Sequence, residues 1–137
     1  MKTYSLKLNE LDTLAKEIVK DFPHGVVVLK GGLAAGKTTF VKSIVKELGF
    51  LEEVTSPTFS LQQCYGDKIF HYDIYNHGLE HFIALGMLEE LEKEGLHFIE
   101  WGNDVLVDLL VNAGIQTITI EIEKIKNDAR EYTVCTH

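Results

Sequence analysis

The stretch VVVLKGGLAAGKTTFVKS, residues 26–43, decides the reading of this chain. Its opening lies within GVVVLK (25–30), a β-branched run of the kind found in a central strand buried on both faces. Phe40, Val41, Ile44, Val45 and Leu48 then follow the 3.6-residue period of a helix, with Gly49 placed as its C′ residue. Between strand and helix, Gly31, Gly36, Lys37 and Thr38 complete the pattern G-x-x-x-x-G-K-[ST]. Small residues there let consecutive backbone N–H groups curl around phosphates, and the helix N-terminus adds partial positive charge. In such a loop Lys37 reaches the β/γ-phosphates and the Thr38 hydroxyl can ligate Mg²⁺. Gly31, Gly32, Leu33, Ala34, Ala35, Gly36, Lys37, Thr38 and Thr39 are therefore read as the phosphate cradle.

Outward from that loop, YSLKL (4–8) alternates like a strand. Asn9 is placed to cap a helix through Leu11, Leu14, Ala15, Ile18, Val19 and Phe22, with Pro23 just beyond it. Residues 58–65 and 68–75 read as a hairpin about Gly66-Asp67. The segment 79–95 is helical with a break near Gly86, 96–101 a buried strand and 103–111 a short helix. Residues 116–125 alternate, and 129–136 can pair back across a turn around 126–128. The sum is an α/β fold, a three-layer sandwich of the P-loop NTPase kind, whose mixed sheet holds parallel crossovers and antiparallel hairpins.

At 137 residues the chain suits one domain, 1–137. No apolar run approaches the ~20 residues that span a bilayer, and the N-terminus lacks a signal-peptide core. A cytoplasmic location with no membrane contact is expected. Cys64 and Cys135 match no metal or redox spacing and read as reduced, mostly buried thiols. A net charge of −8 argues against direct binding to nucleic acid, which needs clustered Lys and Arg.

A nucleotide in such a loop needs carboxylates at nearby strand ends. Asp73 closes KIFHYD and Glu100 closes LHFIE, so both are candidates to hold the metal or position the attacking water. Spacing does not assign the two roles. Thr55, Ser56, Pro57 and Thr58 stand where a switch-like loop can close on a γ-phosphate. Trp101 is either core packing or an aromatic wall beside nucleotide or partner. His71, His77 and His81 read as ordinary polar histidines. A free-standing small-molecule kinase is the alternative reading; the chain's single arginine, Arg130, lies in the last hairpin rather than in a lid. A GTPase is disfavoured by the lack of an N-K-x-D run.

Together GGLAAGKTTFVK, TSPTFSL, HYDIY and FIEW resemble the bacterial TsaE (YjeE) family in order and approximate spacing, across nearly the whole chain. The resemblance implies an ATP/ADP- and Mg²⁺-binding ATPase, weak alone, that serves threonylcarbamoyladenosine modification of ANN-decoding tRNAs. It implies work with a TsaB–TsaD heterodimer, hydrolysis resetting the complex and tRNA being met only indirectly. It further implies that Lys37, Asp73 and Glu100 are catalytic, and that Thr38, Glu100 and Asp73 serve the metal. Residues 55–58 and Trp101 take the switch or partner role. The family commonly has Asp and Gly where this chain has Gly32 and Ala34, Arg at Lys42 and Asn76, and Pro at Gly102; Ala34 is strained if that position requires φ > 0.

Overall fold

The computed structural model describes residues 1–32, 35–50, 53–54, 62–76 and 78–137. Strands β1 (Lys2–Lys7), β2 (Gly25–Lys30), β3 (Gln62–Tyr65), β4 (Ile69–Asp73), β5 (Leu96–Glu100), β6 (Thr117–Lys124) and β7 (Ala129–Thr136) form one sheet. Its order is β1-β7-β6-β2-β5-β4-β3. The strands from β6 to β4 run parallel through β2 and β5, and antiparallel pairs flank them at both edges.

Helices α1 (Leu11–Asp21) and α2 (Lys37–Glu47) cover one face, and α3 (Gly78–Ala84), α4 (Met87–Glu90) and α5 (Asp104–Asn112) the other. The period of two along each strand supplies a core to each face. Val27, Leu29, Phe98, Ile118, Ile120 and Ile122 meet α1 and α2, while Val26, Val28, Tyr72 and Ile99 meet Phe82, Leu106 and Leu110. This is the expected three-layer sandwich with both parallel and antiparallel pairing.

Local chemistry sets the element ends. Helix α2 closes in a Schellman motif: Gly49 at φ 84° donates to Lys46 O at 3.0 Å and Phe50 donates to Val45 O at 3.1 Å. Gly86, at φ 76°, separates α3 from α4 as expected. Asn103 caps α5, its Oδ1 accepting from Leu106 N at 3.0 Å. The last hairpin turns on Asn127 and Asp128, at φ 63° and 59°, a twist-matched pair of left-handed residues.

Four expectations need correction. Asn9 does not cap α1: a 3-10 turn, Leu8–Glu10, leads into it, and Glu10 Oε1 accepts from Lys7 N at 2.8 Å instead. Strand β4 stops at Asp73 because Asp73 Oδ1 accepts from Tyr75 N at 2.9 Å and turns the chain. Strand β5 stops at Glu100 because Trp101 adopts φ 68°, outside the extended region. Cys64 is exposed and Cys135 half-buried, both free thiols, since β3 lies at the sheet edge. Residues 58–61 of the expected hairpin lie outside the described residues.

Candidate nucleotide site

The site grows from the C-terminal end of β2. Gly31 has φ 152°, and a Cβ there would lie 2.6 Å from Ile122 O, so the chain leaves the strand where only glycine fits. Gly36, at φ 116°, is the N-cap of α2 and turns the loop into the helix. Leu33 and Ala34 lie outside the described residues, and with them the question of strain at Ala34. Ala35 is buried, and its carbonyl accepts from Arg130 Nε at 3.0 Å, so the last strand braces the loop from the side.

Lys37, the first residue of α2, is 4% exposed. Its Nζ donates to Gly31 O at 2.9 Å and to Gly32 O at 2.8 Å, folding the ammonium back over its own loop. Burial pushes its pKa below the ordinary lysine value, and the Glu100 and Asp73 carboxylates pull it back up. An ammonium held by neutral carbonyls in a partly desolvated site gains from an incoming anion. The Trp101 ring lies under the same group, its centroid 4.0 Å from Lys37 Nζ and 4.5 Å from the Tyr75 ring. A bulky residue at φ 68° costs about 1–3 kcal/mol of backbone strain. Trp101 is half-buried: it packs against the core on the α3–α5 side and its ring also lies beside the loop lysine.

Asp73 and Glu100 are register partners at the ends of β4 and β5, and both are buried. Alternation along each strand puts them on the side of the sheet that α2 covers. They differ in what they touch. Glu100 Oε2 accepts from Thr38 Oγ1 at 2.8 Å and lies 2.5 Å from His71 Nε2. Asp73 Oδ1 holds the turn after β4. The donor set of Thr38 hydroxyl and two carboxylates is hard oxygen, the chemistry Mg²⁺ takes while keeping several waters. Among the described residues no three His, Cys, Asp or Glu side chains gather into an all-protein metal cage, an arrangement Mg²⁺ bound with phosphates does not need.

The structure therefore brings together Gly31, Gly32, Lys37, Thr38, Asp73, Glu100 and Trp101. Thr39 lies on a second side of the loop, lining a cleft of about 270 Å³ with Leu8, Gly36, Asp128, Arg130 and Tyr132. Thr55, Ser56, Pro57, Thr58 and His77 lie outside the described residues. Lys42 and Asn76 are exposed, and Gly102 is packed so that a Cβ would come within 2.5 Å of Val28 Cγ1. Two participants went unrecognised in the sequence, His71 and Arg130. Period two offered a signal for His71, which shares the Asp73 face of β4. None existed for Arg130, which reaches Ala35 across 95 residues of chain.

Comparison with known proteins accords with this geometry. Residues 6–132 match the family model described as threonylcarbamoyl adenosine biosynthesis protein TsaE. The tRNA threonylcarbamoyladenosine biosynthesis protein TsaE of Treponema pallidum is 42% identical over 112 residues, 80% of each chain. That of Bacillus subtilis is 33% identical over 114 residues, 81% of this chain and 69% of the relative. The crystal structure of Bacillus subtilis YdiB matches with a TM-score of 0.69 at 26% identity, covering 99% of this chain and 87% of that one.

Proposed function

The chain belongs to the TsaE family of threonylcarbamoyladenosine biosynthesis proteins, and on that premise we propose that it is a Mg²⁺-dependent ATPase serving this tRNA modification. The observation that carries the reading is the convergence of Lys37, Thr38 and Glu100 at one strand end, with Thr38 Oγ1 2.8 Å from Glu100 Oε2. The loop N–H groups and the α2 N-terminus seat the phosphates. Lys37 exchanges its two loop carbonyls for phosphate oxygens, a charge-assisted contact. Thr38 with Glu100, and Asp73 from the next strand, hold Mg²⁺, which when bound neutralises charge on the transferring phosphoryl group. Glu100 is the carboxylate nearer that position, because it already touches Thr38. The cleft past Thr39 takes the nucleoside: it leads from the helix N-terminus between Leu8, Tyr132, Arg130 and Asp128.

The partner is a TsaB–TsaD heterodimer, tRNA is met only through it, and the work is cytoplasmic. No described helix is long and apolar enough to cross a membrane. The single arginine, Arg130, is engaged by the Ala35 and Ala129 carbonyls, which speaks against a mobile arginine lid of the kinase kind. Calorimetry with ATP, with and without Mg²⁺, tests the site; tighter binding of GTP would overturn the adenine assignment. ATPase assays with the cognate heterodimer test the partnership. ATP-dependent association and stimulated hydrolysis are expected, and neither occurring would end that reading.

A further inference from the structure

His71 lies directly beneath the nucleotide site and takes no part in the chemistry described so far. It is fully buried, and Glu100 is 3% exposed. The two are set diagonally: His71 faces Phe98 in the β4–β5 register, and Glu100 follows two residues later on the same face. His71 Nε2 reaches Glu100 Oε2 at 2.5 Å, the same oxygen that accepts from Thr38 at 2.8 Å. On its other side Nδ1 lies 3.1 Å from the Tyr65 hydroxyl, which is 2.7 Å from the Gln63 side-chain amide. An ionised carboxylate only accepts, so the proton in the His71–Glu100 bond sits on Nε2.

We infer that His71 is a positioning residue for Glu100, an inference that rests on the nucleotide reading above. The terminal torsion of a glutamate is broad and poorly defined by its own sterics. A hydrogen bond to Oε2 from a ring itself held by Tyr65 fixes that torsion, and with it the direction of Oε1. Thr38 cannot do the same work throughout, because its hydroxyl is wanted by Mg²⁺. With the Thr38 hydroxyl engaged by the metal, His71 would be the partner that keeps this buried carboxylate aimed. The chain Gln63–Tyr65–His71–Glu100 thus carries the packing of the β3–β4 edge into the reaction centre.

The test uses the full chain with His71→Leu, His71→Gln, Glu100→Ala and the double variant His71→Leu/Glu100→Ala. His71→Leu should lower kcat for ATP hydrolysis about 10- to 100-fold, the loss of one charge-assisted hydrogen bond. KM should stay within about 3-fold, since the phosphate loop is untouched. His71→Gln can return an N–H near the position of Nε2 and should recover much of the rate. In single-turnover assays, which read rates far below steady state, His71→Leu should add little to Glu100→Ala. A full multiplied loss in the double variant, or a wild-type rate in folded His71→Leu, overturns the role.

If His71→Leu does not fold, ¹⁵N-histidine NMR of the wild type decides. An exchange-protected Nε2–H resonance that shifts in Glu100→Gln supports the bond, and its absence from folded protein overturns it. A wild type that fails to bind ATP removes the nucleotide reading and the role together. A wild type that binds ATP, with fully active His71→Leu, removes the role alone.

Discussion

Two histidines on neighbouring strands are buried to the same degree and do different things. His97 of β5 faces the α3–α5 side, stacked on Phe70 at 4.4 Å between ring centroids. Its Nδ1 accepts from Tyr72 OH at 2.8 Å and its Nε2 donates to Lys93 O at 2.8 Å. Both groups that the ring itself bonds are neutral, the Glu90 carboxylate being reached from Tyr72 OH only through Gln62 Nε2, and burial holds the ring below the ordinary histidine pKa. His71 of β4 faces the α2 side, and its chain ends on a carboxylate that touches Thr38. Burial alone does not separate scaffold from site. The group that the ring itself bonds does.

The most demanding way to break this comparison is Glu100→Ala. Hydrolysis should fall about 100-fold or more, the range for removing a preorganised group that serves the charge developing on the phosphoryl group. Single-turnover kinetics check it, and a near-normal rate would demote the His71 chain to scaffold like its neighbour. Lys37→Ala comes next. Losing its charge-assisted contact should weaken ATP binding by about 1.5–3 kcal/mol, read by calorimetry; unchanged affinity would mean the loop is misassigned.

His97→Leu sharpens the other half of the comparison. Leaving Tyr72 OH and Lys93 O without their partner should cost about 1–3 kcal/mol of folding stability in urea denaturation. ATP turnover per folded molecule should not change. The smallest effect is one of pH. Because the folded pKa of His97 lies below its unfolded value of about 6.5, the unfolded chain binds more protons once pH drops into that range. The stabilisation is complete above the unfolded pKa and is lost as pH falls towards the folded one. Wild type should therefore lose stability below about pH 6.5 more steeply than His97→Leu, by denaturant titration at several pH values.

Much of this was legible in residues 26–43, because a phosphate loop is local: Gly31, Gly36, Lys37 and Thr38 owe their positions to spacing along one segment. Asp73 and Glu100 were legible as strand ends, which only required the strands to be parallel neighbours. The sequence did not distinguish them, since that depends on which carboxylate the α2 N-terminus approaches. His71 was passed over because its meaning lies in the β4–β5 register, and no single segment contains a register. Trp101 reads as strand from its neighbours' propensity, and its φ of 68° runs against that local signal. The Asn9 cap failed because Leu8–Glu10 wound more tightly than the helical period suggested.

The pairing of the first strand with the last has a consequence for biosynthesis. Among the described strands β1 lies beside β7 alone, and β7 also carries the arginine that braces Ala35. A chain emerging from the ribosome makes the phosphate loop early, yet β1 waits at the edge for a neighbour some 130 residues downstream. The loop's lateral support arrives with the same strand. Nascent chains stalled before β7 should hold a wound α2 and a glycine loop without its brace, so on the proposed function nucleotide capture should wait for β7.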